Sequence, residues 1–496
     1  MRFAPHTDDD VRKMLARIGL DGLDALFDQI PPSVRLDRPL DLPEGVSEME
    51  ILADLRALAA ADRNADDLVC FAGAGAYDHY VPSVVWALTG RSEFYTSYTP
   101  YQPELSQGVL QALFEYQSMI CELTGLEVSN ASLYDGATAL AEAVNLARSS
   151  PGRDRVLVSE AVDPRYVETL RTYGRGAGYE PEVFPVKEGR GGEPQVGDDV
   201  AAVIVQHPNR YGILEPAREL FGEAHAGGAR AIQVFDPLSL GVLAPPGELR
   251  ADIAVAEGQV LGNHLNFGGP YLGVIATRLD DVRRMPGRIV GETVDVDGKV
   301  GYVLTLQARE QHIRREKANS NICTNQTLMA IAAAVYLAWL GPAGLRELGE
   351  SCAAKARYAA EACTRAGARM LHPKAPFFKE FALSFDRPAV DVRDALLDEG
   401  FLVGPVVDGG LVVACTERRT SEEIDHLAAD LLLANPAGLK DDLRSHRDAV
   451  DRHDPPVIRG LRRDELHDPA QVHVLLQVLG HPIRVGARLR FPIPVA

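Results

Sequence analysis

The sequence predicts an α/β protein with a large, mostly parallel sheet domain and a small C-terminal α/β domain. Three observations carry this. Between residues 127 and 276, short β-rich runs alternate with amphipathic helical runs at the spacing of right-handed βαβ units. From residue 375, behind a long Ala-rich helical stretch, the pattern changes to a second, shorter strand–helix alternation. The chain has 496 residues, 46% hydrophobic and 24% charged, which is enough for two or three domains around a sizeable core. The chain divides into a helical arm (1–65), the large domain (66–340), the small domain (341–435) and an atypical tail (436–496).

A net charge of −19 argues against a nucleic acid or an anionic membrane surface as partner. Six cysteines without a CxxC pair fit reduced thiols better than a disulfide frame or a zinc site, and no His/Cys/Asp/Glu spacing suggests a metal. The N-terminus lacks the pattern of a signal peptide, and no apolar run approaches the roughly 20 residues of a membrane span. The expectation is a cytoplasmic protein.

The elements follow in order. Thr7 before three aspartates is a candidate N-cap for a first short helix, and residues 47–61 form another. Residues 71–82, FAGAGAYDHYVP, hold a glycine pair that is half a phosphate loop or simply a tight turn; His79 there reads as a satisfied buried histidine. Residues 95–108, YTSYTPYQPELSQG, combine three tyrosines with two prolines that stiffen the backbone. This loop either lines a pocket through Tyr98, Tyr101, Gln102 and Glu104 or is an ordinary loop with core tyrosines. Helix 109–124 holds its end. Strands then fall at 128–134, 155–159, 183–186, 200–206, 231–235, 253–256 and 273–276, with helices at 136–148, 164–173 and 216–225. Residues 309–320 are charged and helical, and 325–340 and 344–366 are helices. In the small domain, strands at 377–385 and 411–416 alternate with helices at 390–398 and 420–433. Arg314, Arg315 and Lys317 form a basic cluster, either a solvated face or a contact with an acidic carrier or subunit.

The text from residue 98 through LFEYQSMICELTGL, with FAGAGAYDHYVP, GGPYLG (268–273) and REQHIRREKANSNICTNQ (309–326), resembles the glycine dehydrogenase (decarboxylating) family. This family is the P-protein of the glycine cleavage system, and the likeness is to the separate alpha subunit (subunit 1) of its two-gene form. It runs to about residue 433, so the tail is an extension. The resemblance implies a fold-type I PLP-transferase-like fold and an α2β2 assembly with a PLP-bearing beta subunit. It also implies the activity: glycine loses CO2, and the aminomethyl group passes to the lipoyl arm of H-protein. The role implied for Tyr98, Tyr101, Gln102 and Glu104 is to reach the partner's active site or the lipoyl channel. A scaffold that only stabilises the beta subunit and docks H-protein is the alternative.

An enzyme of this fold needs a helix N-terminus for the cofactor phosphate, an acid opposite the pyridine nitrogen and a Schiff-base lysine. Asp135, Gly136 and Thr138 supply the first in outline, though such residues are common helix caps. Asp236, at the end of a strand, supplies the second, or caps the next turn. The third is missing: after Lys187 the next lysine is Lys299, and His264 stands near the expected place. The sequence thus predicts degenerate PLP-site positions and no covalent PLP on this chain.

Overall fold

A computed structural model describes residues 5–149, 152–266, 268–318, 320 and 322–434; the expectation for the tail at 436–496 lies outside them. The chain forms two compact units, residues 1–63 and residues 64 onward.

In the first unit, Thr7 and Asp10 form a capping box at the helix Asp8–Ile18, with three acids in its first turn. Gly19, at φ 77°, ends that helix in the left-handed conformation. Ser47 and Glu50 repeat the device on the helix Glu48–Ala59, which buries none of its residues.

The second unit is built on a seven-stranded sheet: β1 (Val128–Ser129), β2 (Arg155–Ser159), β3 (Pro181–Phe184), β4 (Val200–His207), β5 (Arg230–Phe235), β6 (Ile253–Glu257) and β7 (Gly273–Thr277). Their order is β1-β7-β6-β5-β4-β2-β3. Strands β2 to β6 pair in parallel, and β7 is antiparallel to both neighbours. The strands are apolar on both sides because helices cover both faces. Val156, Val158, Ile204 and Val255 pack under α2 (Gly136–Arg148) and α3 (Pro164–Ala177). The alternate residues Leu157, Val203 and Val205 pack under α4 (Ala217–Ala226). Ala254, Ala256 and Val274 meet α1 (Gln107–Thr124) and the first half of α5 (Thr327–Arg365).

By length and composition α5 could cross a membrane. Its apolar side chains instead fill two protein cores: Met329 to Cys352, on both sides of a kink at Gly341 and Pro342, pack in the large-domain core, and Ala356 onward in the small-domain core. The boundary expected at 340/341 falls at this kink, where Gly341 (φ 58°, ψ −179°) leaves helical geometry between the two helices expected at 325–340 and 344–366. Beyond it, Glu380–Ser384 and Gly410–Ala414 centre a four-stranded antiparallel sheet. Val69–Ala72, expected in the large domain, pairs in parallel with Phe401–Gly404 beside that sheet, because Phe71 is fully buried in the small-domain core.

Two local expectations fail for physical reasons. Residues 309–320 hold only the single turns Gln311–Arg314 and Arg315–Lys317, since their charged run has no apolar stripe to bury. The strand expected at 128–134 stops at Ser129; Ser132 has φ 126°, outside any strand. The alternation also misses an antiparallel hairpin, Ile289–Val294 with Val300–Thr305.

Candidate functional site

Ligands of open parallel sheets sit at the carboxyl edge, and β5 ends there, just before Asp236. Its Oδ1 accepts from the Leu238 N–H at 3.1 Å, capping the short turn Pro237–Gly241. Its Oδ2 lies 2.8 Å from Lys379 Nζ. Lys379 comes from the small domain, immediately before the strand Glu380–Ser384, and is 1% exposed. The ammonium also lies 3.1 Å from His79 Nε2 and 3.5 Å from the centroid of the Tyr77 ring. His79 Nδ1 is 2.7 Å from Glu417 Oε2. Burial, and then the Lys379 charge, lower the His79 pKa. The neutral imidazole that donates from Nδ1 to Glu417 and accepts at Nε2 from Lys379 satisfies both contacts. A buried ion pair needs such additional partners to offset its desolvation.

Around this pair the chain supplies more buried acid. The Tyr77 hydroxyl donates to Glu380 Oε1 at 2.9 Å, and the Ala74 N–H donates to Oε2 at 3.0 Å. Burial pushes the Glu380 carboxyl up to about 7. The turn at 73–75 exists to admit this group: a Cβ on Gly73 would lie 2.3 Å from Glu380 Oε2. The tight turn, with a carboxylate against it, is therefore the reading of residues 73–75 that the structure favours.

The helix α2 begins against Glu257, which lines the same cavity. Asp135 Oδ1 accepts from the Thr138 N–H at 2.8 Å, and Thr138 Oγ1 accepts from the Asp135 N–H at 3.2 Å. The Gly136 N–H donates to Glu257 Oε2 at 3.0 Å, while Glu257 Oε1 accepts from the Gln259 and Leu272 N–H groups at 3.0 and 3.1 Å. Burial pushes the Glu257 carboxyl up to about 7 against the pull of these three hydrogen bonds. Gly136 is closely packed, since a Cβ there would lie 2.1 Å from the Tyr166 hydroxyl. The space left beside Asp236, Tyr166, Glu257 and Val260 is about 40 Å³, room for about one water.

The structure thus joins Asp236, Asp135, Gly136 and Thr138 in one region and leaves the other expected residues outside it. His264 is exposed and stacks on Trp86, with ring centroids 5.7 Å apart; the residues that line the cavity here are Glu257, at the end of β6, and Val260 just after it. Its place near the missing lysine is corrected accordingly, because the chain leaves the cavity after Val260. None of Tyr98, Tyr101, Gln102 and Glu104 lines the cavity. All four are exposed, Tyr98 by 82%. Only Tyr101 is anchored among them by a side-chain contact: its hydroxyl accepts from Arg288 Nη2 at 2.8 Å, under a cation–π contact from the same guanidinium.

Sequence reasoning missed Lys379, Glu380, Glu257, Tyr77 and Glu417. One signal was available, the charged pair Lys379-Glu380 set in the apolar run 377–385. Among the described residues, His79, Cys352 and Glu417 bring three donor atoms within 4.8 Å of one another. The hydrogen bond between His79 and Glu417 and the ammonium groups of Lys379 and Lys355 against them make this a hydrogen-bonded cluster that disfavours a cation.

A seven-stranded sheet in this order, with an acid just after β5 and a helix N-terminus against a residue of the same cavity, defines a fold-type I, PLP-transferase-like α/β protein. The sphingosine-1-phosphate lyase of Burkholderia pseudomallei shares that fold at 16% identity and a TM-score of 0.61, over 82% of this chain and 94% of its own. The narrower assignment comes from closer relatives. Residues 1–431 match the family described as glycine cleavage system P-protein, and the chain belongs to that family. It is 51% identical over 438 residues to the probable glycine dehydrogenase (decarboxylating) subunit 1 of Carboxydothermus hydrogenoformans, covering 86% of this chain and 98% of that one. A solved glycine decarboxylase (P-protein) of the glycine cleavage system, in inhibitor-bound form, superposes with a TM-score of 0.82 at 48% identity, over 88% of this chain and 100% of its own.

The fold family implies PLP, and the residues beside Asp236 do not fit it. The cavity is far smaller than a pyridine ring with its phosphate, Lys379 already pairs with Asp236, and the Gly136 N–H already meets Glu257.

Proposed function

We propose that this chain is the cofactor-free subunit of a two-subunit, cytoplasmic glycine decarboxylase of the glycine cleavage system. Its partner subunit carries PLP in an α2β2 assembly. The pair acts on glycine, releases CO2 and delivers the aminomethyl group to the lipoyl arm of H-protein. The observation that carries this reading is the Lys379–Asp236 ion pair, 2.8 Å long in a region with space for about one water. A chain that fills its own cofactor region acts through a partner's.

The groups it offers are on the outside. The loop bearing Tyr98, Tyr101, Gln102 and Glu104 presents hydroxyl, amide and carboxylate groups with little internal use for them. The loop is held near its middle by the Tyr101–Arg288 contact. At its C-terminal end, the Gln107 side-chain amide donates from Nε2 to Tyr302 O at 2.9 Å and accepts at Oε1 from the Tyr302 N–H at 2.8 Å. Gln102 and Glu104, between two anchored residues, are positioned at small entropic loss when a partner closes over them. Covering the partner's pocket excludes water from the reacting carbon. The arm supports a wrapping role, since many of its apolar side chains, among them Leu36, Leu42, Met49 and Leu58, are exposed.

Glycine–bicarbonate carbon exchange with lipoylated H-protein tests the reading. It is measured with this chain alone, the partner alone and both together. Activity is expected only in the mixture. Full activity from the partner alone would reduce this chain to a scaffold, and activity from this chain alone would overturn the cofactor-free assignment.

A further inference from the structure

In a PLP-binding fold of this type two charged ends of the ligand are met by the protein. A helix N-terminus meets the anionic phosphate, and an acid meets the cationic ring nitrogen. In this chain both meeting points are present and each already holds a side chain of matching charge type. At the N-terminus of α2, the Gly136 N–H donates to the Glu257 carboxyl group at 3.0 Å. At the end of β5, Asp236 faces the Lys379 ammonium at 2.8 Å, and that ammonium lies against the Tyr77 ring. The two come from distant parts of the chain, the end of β6 and the entry to a small-domain strand. Lys379 is almost wholly buried and Glu257 partly so, although neither residue type is buried readily without a partner.

We propose that Glu257 and Lys379 are internal substitutes for the two charged ends of the cofactor, and that they, beyond the missing Schiff-base lysine, keep PLP out of this chain. The substitution has a mechanical consequence. Lys379 belongs to the small domain and Asp236 to the large one, so the ion pair ties the two together where a cofactor would otherwise lie. This inference rests on the reading that the chain works without its own cofactor.

The test uses pyridoxamine 5′-phosphate, which has the charged ring and phosphate but no aldehyde to trap surface lysines. Binding to the purified full chain is followed by the ligand's fluorescence and by equilibrium dialysis. Wild type is expected to retain none. The double variant Lys379→Ala/Glu257→Ser, which vacates both positions, is expected to bind saturably, about tenfold or more tighter than either single variant, since both charged ends must be met at once. Lys379→Met, which fills the ring position without charge, is expected not to bind. A folded double variant that binds no better than wild type overturns the inference and leaves the cofactor-free reading standing. Binding by wild type overturns that reading itself.

Where the double variant does not fold, thermal melting decides. Lys379→Met is expected to lower the melting temperature by stranding the Asp236 charge, and adding Asp236→Leu is expected to restore part of the loss. A further drop on adding Asp236→Leu would show that Lys379 does not serve to neutralise Asp236.

Discussion

The cavity beside Asp236 and the loop at 95–108 are opposites. In the cavity, charged and hydroxyl groups that elsewhere would meet a ligand meet one another: Asp236 with Lys379, Glu257 with three backbone N–H groups, Glu380 with Tyr77. In the loop, comparable groups face outward, and of its tyrosines only Tyr101 is tied down by a side-chain hydrogen bond. The difference separates what a family fold retains from what it uses. Groups satisfied within the chain contribute to stability, and groups left open are available to a partner. Substitutions in the two regions should therefore divide between folding and turnover.

The largest effect is expected from Lys379→Met, which leaves Asp236 buried without its cation. A loss of about 3–5 kcal/mol in unfolding free energy is typical for such a broken pair, and calorimetric melting measures it. Next comes the acid at α2. Burial holds the Glu257 pKa at about 7, above the 4.5 of an ordinary glutamate. Its contribution to stability is therefore full below pH 4.5 and is lost as pH rises through 7. Urea unfolding between pH 5 and 8 should show this slope, worth on the order of 3 kcal/mol for Glu257 and added to by Glu380, and Glu257→Gln should reduce it even though the amide weakens the contact with Gly136. His207 runs the other way: burial lowers its pKa to about 4, so its contribution fades as pH falls below 6.5. The comparison of variant with wild type is therefore the informative one.

A third, smaller loss is expected from Gly73→Ala. The added Cβ would meet Glu380 Oε2 at 2.3 Å and the Ala414 Cβ at 2.8 Å, and forcing a methyl into packed surroundings costs about 1–3 kcal/mol. Smallest in stability is Tyr98→Phe, within about 0.5 kcal/mol for an exposed site. In exchange assays of the assembled pair, however, Tyr98→Phe and Glu104→Gln should lower turnover by about tenfold or more, the loss expected when a polar contact to a reacting site is removed. Wild-type turnover in both loop variants would erase the contrast between the two regions.

The parallel sheet was legible because its signals are local. Period-two runs, Asp135 before a helix and Asp236 at a strand end can each be read within a dozen residues. His79 was legible as a satisfied buried histidine, though not its partners. Lys379 was not, because its meaning comes from Asp236, far away in sequence and in another sheet. Glu257 reads as the last residue of a strand until the fold brings α2 against it. His264 misled for a related reason: distance along the chain from β6 was taken for distance in space, and the segment leaves the cavity after Val260 and reaches the surface at His264. The loop at 98–104 could be singled out by composition, but nothing local tells a pocket lining from a surface that awaits one.

The pairing of Val69–Ala72 with Phe401–Gly404 bears on synthesis. The first of these strands leaves the ribosome early and its mate is among the last described residues to appear. At roughly 5–20 residues per second the wait is on the order of tens of seconds. During it, Cys70 and Phe71, buried in the finished protein, have no strand to join. The nascent chain therefore carries an open β edge until residues 401–404 have emerged, which makes that segment a natural point of attention for chaperones.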